Sequence, residues 1–287
     1  MAVVAVMSMM GGVGKTTVVM HLGAMFAGYG VGGIGRRVLL IDFDPQAVLS
    51  HALLSDKAYL ARVKADRTCL AVLQEQRPGV ASANPKKGAG LMPPSVKTVA
   101  VHLGKGRHVF DLVPSTLDLI NFNEQPITRQ KMAVQRFQRF IAECRAQYDL
   151  IFIDCHPGRS CLSWMAVLNA DHIVIPSIPE EYTALSIRPM MKFIAMLPAR
   201  RRSPRVHILF NKVRQNRPSP GEAAIRETTG FRGCCMTQTL RKDNALASPH
   251  YAQRPVRAIP TSKTGRAIRK WVQVGEELGC GDSGGVE

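Results

Sequence analysis

The stretch Met9-Met10-Gly11-Gly12-Val13-Gly14-Lys15-Thr16-Thr17 constrains the fold of this chain more than any other. An apolar run, Val3 to Met7, leads into it, and a helical pattern of Val18, Val19, Leu22, Met25 and Phe26 follows it. Glycines permit backbone conformations that turn successive N–H groups inward as an anion nest. The N-terminus of the following helix adds partial positive charge at the same point. Strand, glycine loop and helix, in that order, form the context in which a glycine–lysine motif binds phosphate. Lys15 is expected to reach the β and γ phosphates and Thr16 to offer its hydroxyl to Mg²⁺. Gly11, Gly12, Val13, Gly14 and Thr17 complete the expected nucleotide cradle.

Two further elements narrow the class. Val38-Leu39-Leu40-Ile41 is an apolar run that ends in Asp42-Phe43-Asp44-Pro45-Gln46, and Leu150-Ile151-Phe152-Ile153 ends at Asp154 and continues into Cys155-His156-Pro157-Gly158. Continuous apolar strands with carboxylates at their C-terminal ends are expected in a parallel sheet covered on both faces. The second run looks like a Walker B element, whose Asp154 holds Mg²⁺ directly or through water. The expected fold is therefore α/β: a doubly wound, mostly parallel sheet with helices on both faces.

With these residues in hand, the chain resembles the ParA-type ATPases of the deviant Walker A group, which includes MinD and the nitrogenase iron protein. Gly11 to Thr17 matches the family's phosphate loop, and Leu40 to Ala47 its second motif, in which the resemblance makes Asp44 the carboxylate that positions or activates the attacking water. Ala170 to Pro176 resembles the next strand, leading to Pro179-Glu180. Ile208-Leu209-Phe210-Asn211 resembles the strand whose terminal Asn reads the adenine edge, and Leu240 to Ala247 resembles the C-terminal segment of plasmid-partition members. The similarity spans roughly residues 1 to 275. It implies binding of ATP and ADP with Mg²⁺, an ATP-dependent homodimer, a ParB-like or cargo adaptor as partner, and a cytoplasmic, nucleoid-associated location.

One departure stands out. The family's signature lysine lies immediately before the glycine pair, and here that position is Met10. In the family this lysine crosses the dimer interface and acts like an arginine finger. A cation placed on the transferring phosphoryl group contributes several powers of ten in rate, whereas a thioether is only a weak, uncharged acceptor. Met9 stands where an ordinary Walker A loop has Gly, so the loop is not a reversion to that form. ATP binding is expected to survive the change; fast hydrolysis is the property it calls into question. Some members that position carboxysomes also lack this lysine.

Charge supplies the other large signal. Lys plus Arg number 38 against 21 for Asp plus Glu, a formal net charge of +17. Residues 198–217 carry Arg200, Arg201, Arg202, Arg205, Lys212, Arg214 and Arg217 without an acid. Residues 241–270 carry Arg241, Lys242, Arg254, Arg257, Lys263, Arg266, Arg269 and Lys270 against Asp243 alone. Such an excess implies an anionic polymer as partner. Few aromatics are interleaved, which disfavours stacking on single-stranded bases. The expected ligand is double-stranded DNA, held through its phosphates without sequence preference and weakened by salt. The residues chosen for this contact are Arg200, Arg201, Arg202, Arg241, Lys242, Arg266, Arg269 and Lys270.

The remaining chain reads as one domain over residues 1–278, with a Pro-, Gly- and Lys-rich mobile loop at about 76–97 and a disordered, glycine-rich tail at 279–287. Helices are expected over 67–76, 127–146, 182–197, 221–229 and 264–278, and short strands over 99–103 and 109–113. No apolar run reaches the length of a membrane span, and the end of the chain lacks the apolar helical face of a MinD-like membrane anchor. With the phosphate loop starting near residue 9, no preceding helix-turn-helix is expected. Seven cysteines without a CxxC pair suggest a reducing compartment. His156 reads as a loop histidine without a catalytic role, and His21 as a packed or surface residue.

Overall fold

A strand sends successive side chains to opposite faces of its sheet, so an unbroken apolar run is stable only where both faces are covered. The strand before the phosphate loop behaves in this way: Val3, Ala5 and Met7 enter one hydrophobic core and Val4 and Val6 another. The computed structural model describes residues 1–28, 35–74, 92–104, 108–122, 124–180, 183–197, 203–213, 218–241 and 270–278. Its sheet is built from β1 (Ala2–Val6), β2 (Val38–Phe43), β3 (Val101–His102), β4 (Phe110–Val113), β5 (Leu150–Cys155), β6 (His172–Ser177) and β7 (Arg205–Phe210). The seven strands lie in the order β3-β4-β2-β5-β1-β6-β7. All pairs are parallel except the edge pair β3 and β4. The doubly wound, mostly parallel architecture is the one expected.

One face of this sheet carries α1 (Lys15–Phe26), α2 (Val48–Leu53), α3 (Asp56–Lys64) and the helical residues 270–277, which contribute Leu22, Phe26, Leu49, Tyr59, Trp271 and Val274 to the core with Leu40 and Phe152. The opposite face carries α4 (Cys69–Leu73), α5 (Val96–Val99), α6 (Ile127–Gln147), α7 (Cys161–Asn169) and α8 (Thr183–Ala195). A smaller cluster at the β7 edge includes Ile225 of α9 (Pro220–Glu227). Each buried Phe or Leu of these layers contributes about 1.5–3 kcal/mol. The approach of α1 to the sheet is close. A β-carbon on Gly23 would lie 2.6 Å from Leu40 Cδ2, so glycine permits the contact.

Some local expectations shift. The helix read over 67–76 is only Cys69–Leu73. Arg136, buried on α6, ends it by donating to the carbonyls of Ala71, Val72 and Gln74 that a terminating helix leaves open, and also to that of Met92. The strand read over 99–103 is instead the end of α5 followed by the two-residue β3. The mobile loop read at 76–97 does not reach its expected end. Val96 is fully buried, and Glu143 accepts hydrogen bonds from the Ser95 hydroxyl at 2.7 Å and the Val96 N–H at 3.1 Å. Residues 76–91 and the tail 279–287 lie outside the described residues, as do 264–269 of the last expected helix. No helix among the described residues is long and apolar enough to cross a membrane.

β1 sits between β5 and β6, so the chain departs from it to opposite sides of the sheet. Crevices at the C-terminal edge of such a switch point are where open α/β sheets bind ligands. At the opposite edge of the sheet, Asp171 accepts a hydrogen bond from Val3 N–H at 2.8 Å and an ion pair from Arg145 at 2.9 Å. His172 Nδ1 and His207 Nε2 lie 3.1 Å apart on neighbouring β6 and β7. Burial, reinforced by His172, pushes the His207 imidazole down to about 4 from an ordinary 6.5. In the unfolded chain this group takes its proton near 6.5, but in the folded chain only near 4. Folding stability is therefore intact above 6.5 and is lost as pH falls through that window. Urea midpoints measured from pH 7 to pH 4 should decline, and His207→Gln should flatten part of that decline; an unchanged slope would remove His207 as its source.

Candidate nucleotide site

The loop between β1 and α1 is shaped by its own backbone. Buried Ser8 receives the Met10 N–H at 3.0 Å and donates its hydroxyl to the Met10 carbonyl at 2.6 Å, closing the entry turn. Gly12 and Gly14 adopt φ of 73° and 91°, a left-handed region that glycine enters without penalty. α1 then begins at Lys15 with no capping side chain and no acid in its first turn. A helix N-terminus left in this state is an anion site. Gly11, Gly12, Val13, Gly14, Lys15, Thr16 and Thr17 form this loop and the first turn of α1. Met10, at the signature position, is 45% exposed.

Two side chains from the end of β7 lock this loop. Asn211 donates its amide to the Val13 carbonyl at 2.8 Å, and a β-carbon on Gly14 would collide with that amide at 2.4 Å. Its amide oxygen accepts the Lys212 N–H at 2.8 Å. The Lys212 ammonium reaches the Gly12 carbonyl at 2.6 Å, and Lys212 itself holds a left-handed φ of 56°. Asn211, which the resemblance assigns to the adenine edge, lies beside the phosphate loop and in this conformation holds it. The role of Lys212 had no signal in the sequence beyond its place in a basic run.

The carboxylates come from the strand ends beside the loop. β2 and β5 pair in a register that sets Asp42 against Asp154. Asp42 is fully buried and accepts from the Asp44 N–H at 3.1 Å, the Ser50 N–H at 2.9 Å and the Ser50 hydroxyl at 2.6 Å. Burial outweighs these bonds and pushes its carboxyl up to about 7. Asp154 is also buried, and neither of its oxygens has a hydrogen-bond partner of good geometry among the described residues. Burial and Asp42 raise its carboxyl well above the usual range, while Thr16 and Lys15 oppose the rise. A buried carboxylate left in this state fits a divalent cation, which would supply the missing positive charge. Lys15 is buried as well. Desolvation lowers its ammonium, countered by Asp154 and Asp44.

Asp44 lies in the turn after β2. Its carbonyl accepts from Ala47 N–H at 2.8 Å and from the Ser115 hydroxyl at 2.7 Å, and Ala47 takes a left-handed φ of 51°. Its carboxylate Oδ1 accepts the Gln46 N–H at 3.0 Å and lies 3.0 Å from His156 Nδ1. The loop carrying His156 is tied to the phosphate loop by Gly158 N–H donating to the Ser8 carbonyl at 3.1 Å. His21 packs against Trp271 with ring centroids 5.3 Å apart, as a core residue would.

Of the residues expected to touch DNA, two fall within the described chain. Arg241 is exposed beside Val213, and Lys270 donates to Gln238 Oε1 at 2.9 Å. Gln238 precedes Arg241 closely, so both cations belong to one neighbourhood. Arg200, Arg201, Arg202, Lys242, Arg266 and Arg269 lie outside the described residues.

A glycine loop at the switch point of a parallel sheet, with a buried lysine and strand-end carboxylates, defines a P-loop nucleotide-binding protein. Residues 1–207 match the family model AAA_31, described as an AAA domain, and the chain belongs to this family as a ParA-type P-loop ATPase. It is 25% identical to a ParA family protein of Chlamydia trachomatis over 283 residues, covering 97% of each chain. It is 27% identical over 183 residues to the sporulation initiation inhibitor protein Soj of Bacillus subtilis, covering 64% of this chain and 60% of Soj. Among solved structures, a plasmid partition protein of Borrelia burgdorferi bound to AMPPNP superposes with a TM-score of 0.69 at 18% identity, covering 96% of this chain and 98% of that one. An McdA–ATP complex from Cyanothece gives a TM-score of 0.66 at 20% identity, covering 100% and 99%.

The lock on the loop is open to test. Lys212→Ala removes one charge-assisted hydrogen bond, and titration with a fluorescent ATP analogue should show affinity falling about threefold to tenfold while Tm moves little. Unchanged affinity would mean that the Lys212 contact does not shape the loop.

Proposed function

We propose that this ParA-type chain is an ATP-driven partition or positioning ATPase. It closes into a homodimer on ATP, binds double-stranded DNA without sequence preference, and is released when a cargo-bound, ParB-like adaptor stimulates hydrolysis. The observation that supports the reading best is the convergence of the phosphate loop, the orphaned Asp154 carboxylate and Asp44 at one edge of the sheet.

In this reading the N–H groups of Gly11 to Thr17 cradle the phosphates, and Lys15 balances charge on the β and γ groups. Thr16 and Asp154 would hold Mg²⁺, which when bound would offset the negative charge of the phosphate oxygens. Asp44 orients the attacking water in line with the γ-phosphorus, and Asn211 meets the adenine edge while holding the loop. DNA is bound through Arg200, Arg201, Arg202, Arg241, Lys242, Arg266, Arg269 and Lys270. Pairing two copies doubles the number of phosphate contacts and so makes DNA affinity depend on the dimer. The protein would then act in the cytoplasm on the nucleoid.

Asp44→Ala should abolish adaptor-stimulated phosphate release while ATP still binds; retained turnover would take the water-positioning role from Asp44. A second reading is favoured by the exposed thioether at position 10: a DNA-binding switch driven by nucleotide occupancy, with little hydrolysis. Under it, Met10→Lys should raise turnover roughly tenfold or more, because a cation on the transferring phosphoryl group is worth about 10³–10⁵ in related enzymes. No increase would show that another cation already serves the phosphates.

A further inference from the structure

The fold brings His156 to Asp44 across 112 positions of sequence. We propose that His156 is a positioning residue for hydrolysis: its Nδ1–H holds Asp44 by one carboxylate oxygen and leaves the other to orient the attacking water. The inference rests on the ATPase reading given above.

Three observations carry it. First, both hydrogen bonds to the Asp44 carboxylate, from Gln46 N–H and from His156 Nδ1, fall on Oδ1 at 3.0 Å each. No hydrogen bond to Oδ2 occurs among the described residues. A carboxylate held twice through one oxygen has its terminal torsion fixed, whereas a single short-range bond from Gln46 would leave it free to turn. Second, the Asp44 side chain is 13% exposed and that of His156 is 41% exposed, so the contact is open to solvent water. A carboxylate partner selects the tautomer with the proton on Nδ1. Third, the support of the imidazole is rigid. Pro157 restricts the His156 backbone to an extended conformation. The next residue, Gly158, has a φ of 93° and is bonded to the Ser8 carbonyl at the root of the phosphate loop. Asp44 itself is held by Ser115 and Ala47 through its carbonyl. The pair therefore joins the second motif to the phosphate loop through two short, braced turns.

The test compares wild type with His156→Ala, His156→Asn and His156→Gln. It reads ATP turnover, KM, the Kd of a fluorescent ATP analogue and the ¹⁵N shifts of the His156 ring. Small misplacements of a reacting group cost up to about a hundredfold in rate. His156→Ala should therefore lower kcat about tenfold or more, with KM and Kd within about twofold of wild type. His156→Asn, whose amide can donate from near the Nδ1 position, should recover most of the loss, and His156→Gln should not. Added to Asp44→Asn, His156→Ala should cause little further loss. The ring shifts should report an Nδ1-protonated tautomer that Asp44→Ala abolishes.

An unchanged kcat in His156→Ala overturns the proposal, as does a loss that appears only in KM and Kd. Equal rates for the Asn and Gln variants also overturn it, and this comparison serves if the alanine variant fails to fold. A wild-type protein that binds ATP without turnover overturns the ATPase reading, and the proposal falls with it.

Discussion

The left-handed turn at Gly14 holds this site together, because the Asn211 amide fills the space that a β-carbon on Gly14 would occupy and donates to the adjacent Val13 carbonyl. One contact thereby sets three things. It fixes the direction in which the phosphate loop faces, and it places the uncapped start of α1 at the loop's mouth. It also links the end of β7 to the end of β1, across the intervening β6. The Lys212 ammonium on the Gly12 carbonyl strengthens the same link.

The electrostatics of the protein alone are unbalanced in a way that a ligand would correct. Asp42 and Asp154 are buried side by side on paired strands, and after burial itself the charge of Asp42 is what most raises the cost of ionising Asp154. Asp42 is fully served by Ser50 and the Asp44 N–H, so it acts as a strut for the second motif. Asp154 has no hydrogen bond of good geometry among the described residues and is eased only by the Thr16 hydroxyl and by Lys15, which is itself penalised by burial. A cation and a polyphosphate entering together would relieve both penalties at once. Anything that binds the folded state in this way also stabilises it by mass action.

Much of this was legible in the chain. The continuous apolar runs at Val38 and Leu150 announced strands buried on both faces, and the two cores of the structure show why alternation was absent there. The glycines, Lys15, Thr16 and the strand-end carboxylates were recognisable because phosphate binding needs those residue types in that order. Long-range partners were not. Arg136 shortens a helix 60 and more residues away by taking its carbonyls, and nothing local to Cys69–Leu73 signals this. His156 read as a loop residue because its partner, Asp44, is 112 positions distant. Lys212 was hidden in a basic run, where it counted only toward the charge of residues 198–217.

The central claim is that nucleotide state governs what the positive charge of the chain does. Binding to random-sequence duplex DNA at moderate salt, measured without nucleotide, with ADP–Mg²⁺ and with ATP–Mg²⁺, tests it most directly. Tight binding with ATP–Mg²⁺ alone is the result expected of a nucleotide-gated dimer. Equal binding in all three states would contradict it, because charge alone would then govern DNA contact and the nucleotide site would have no hold over it.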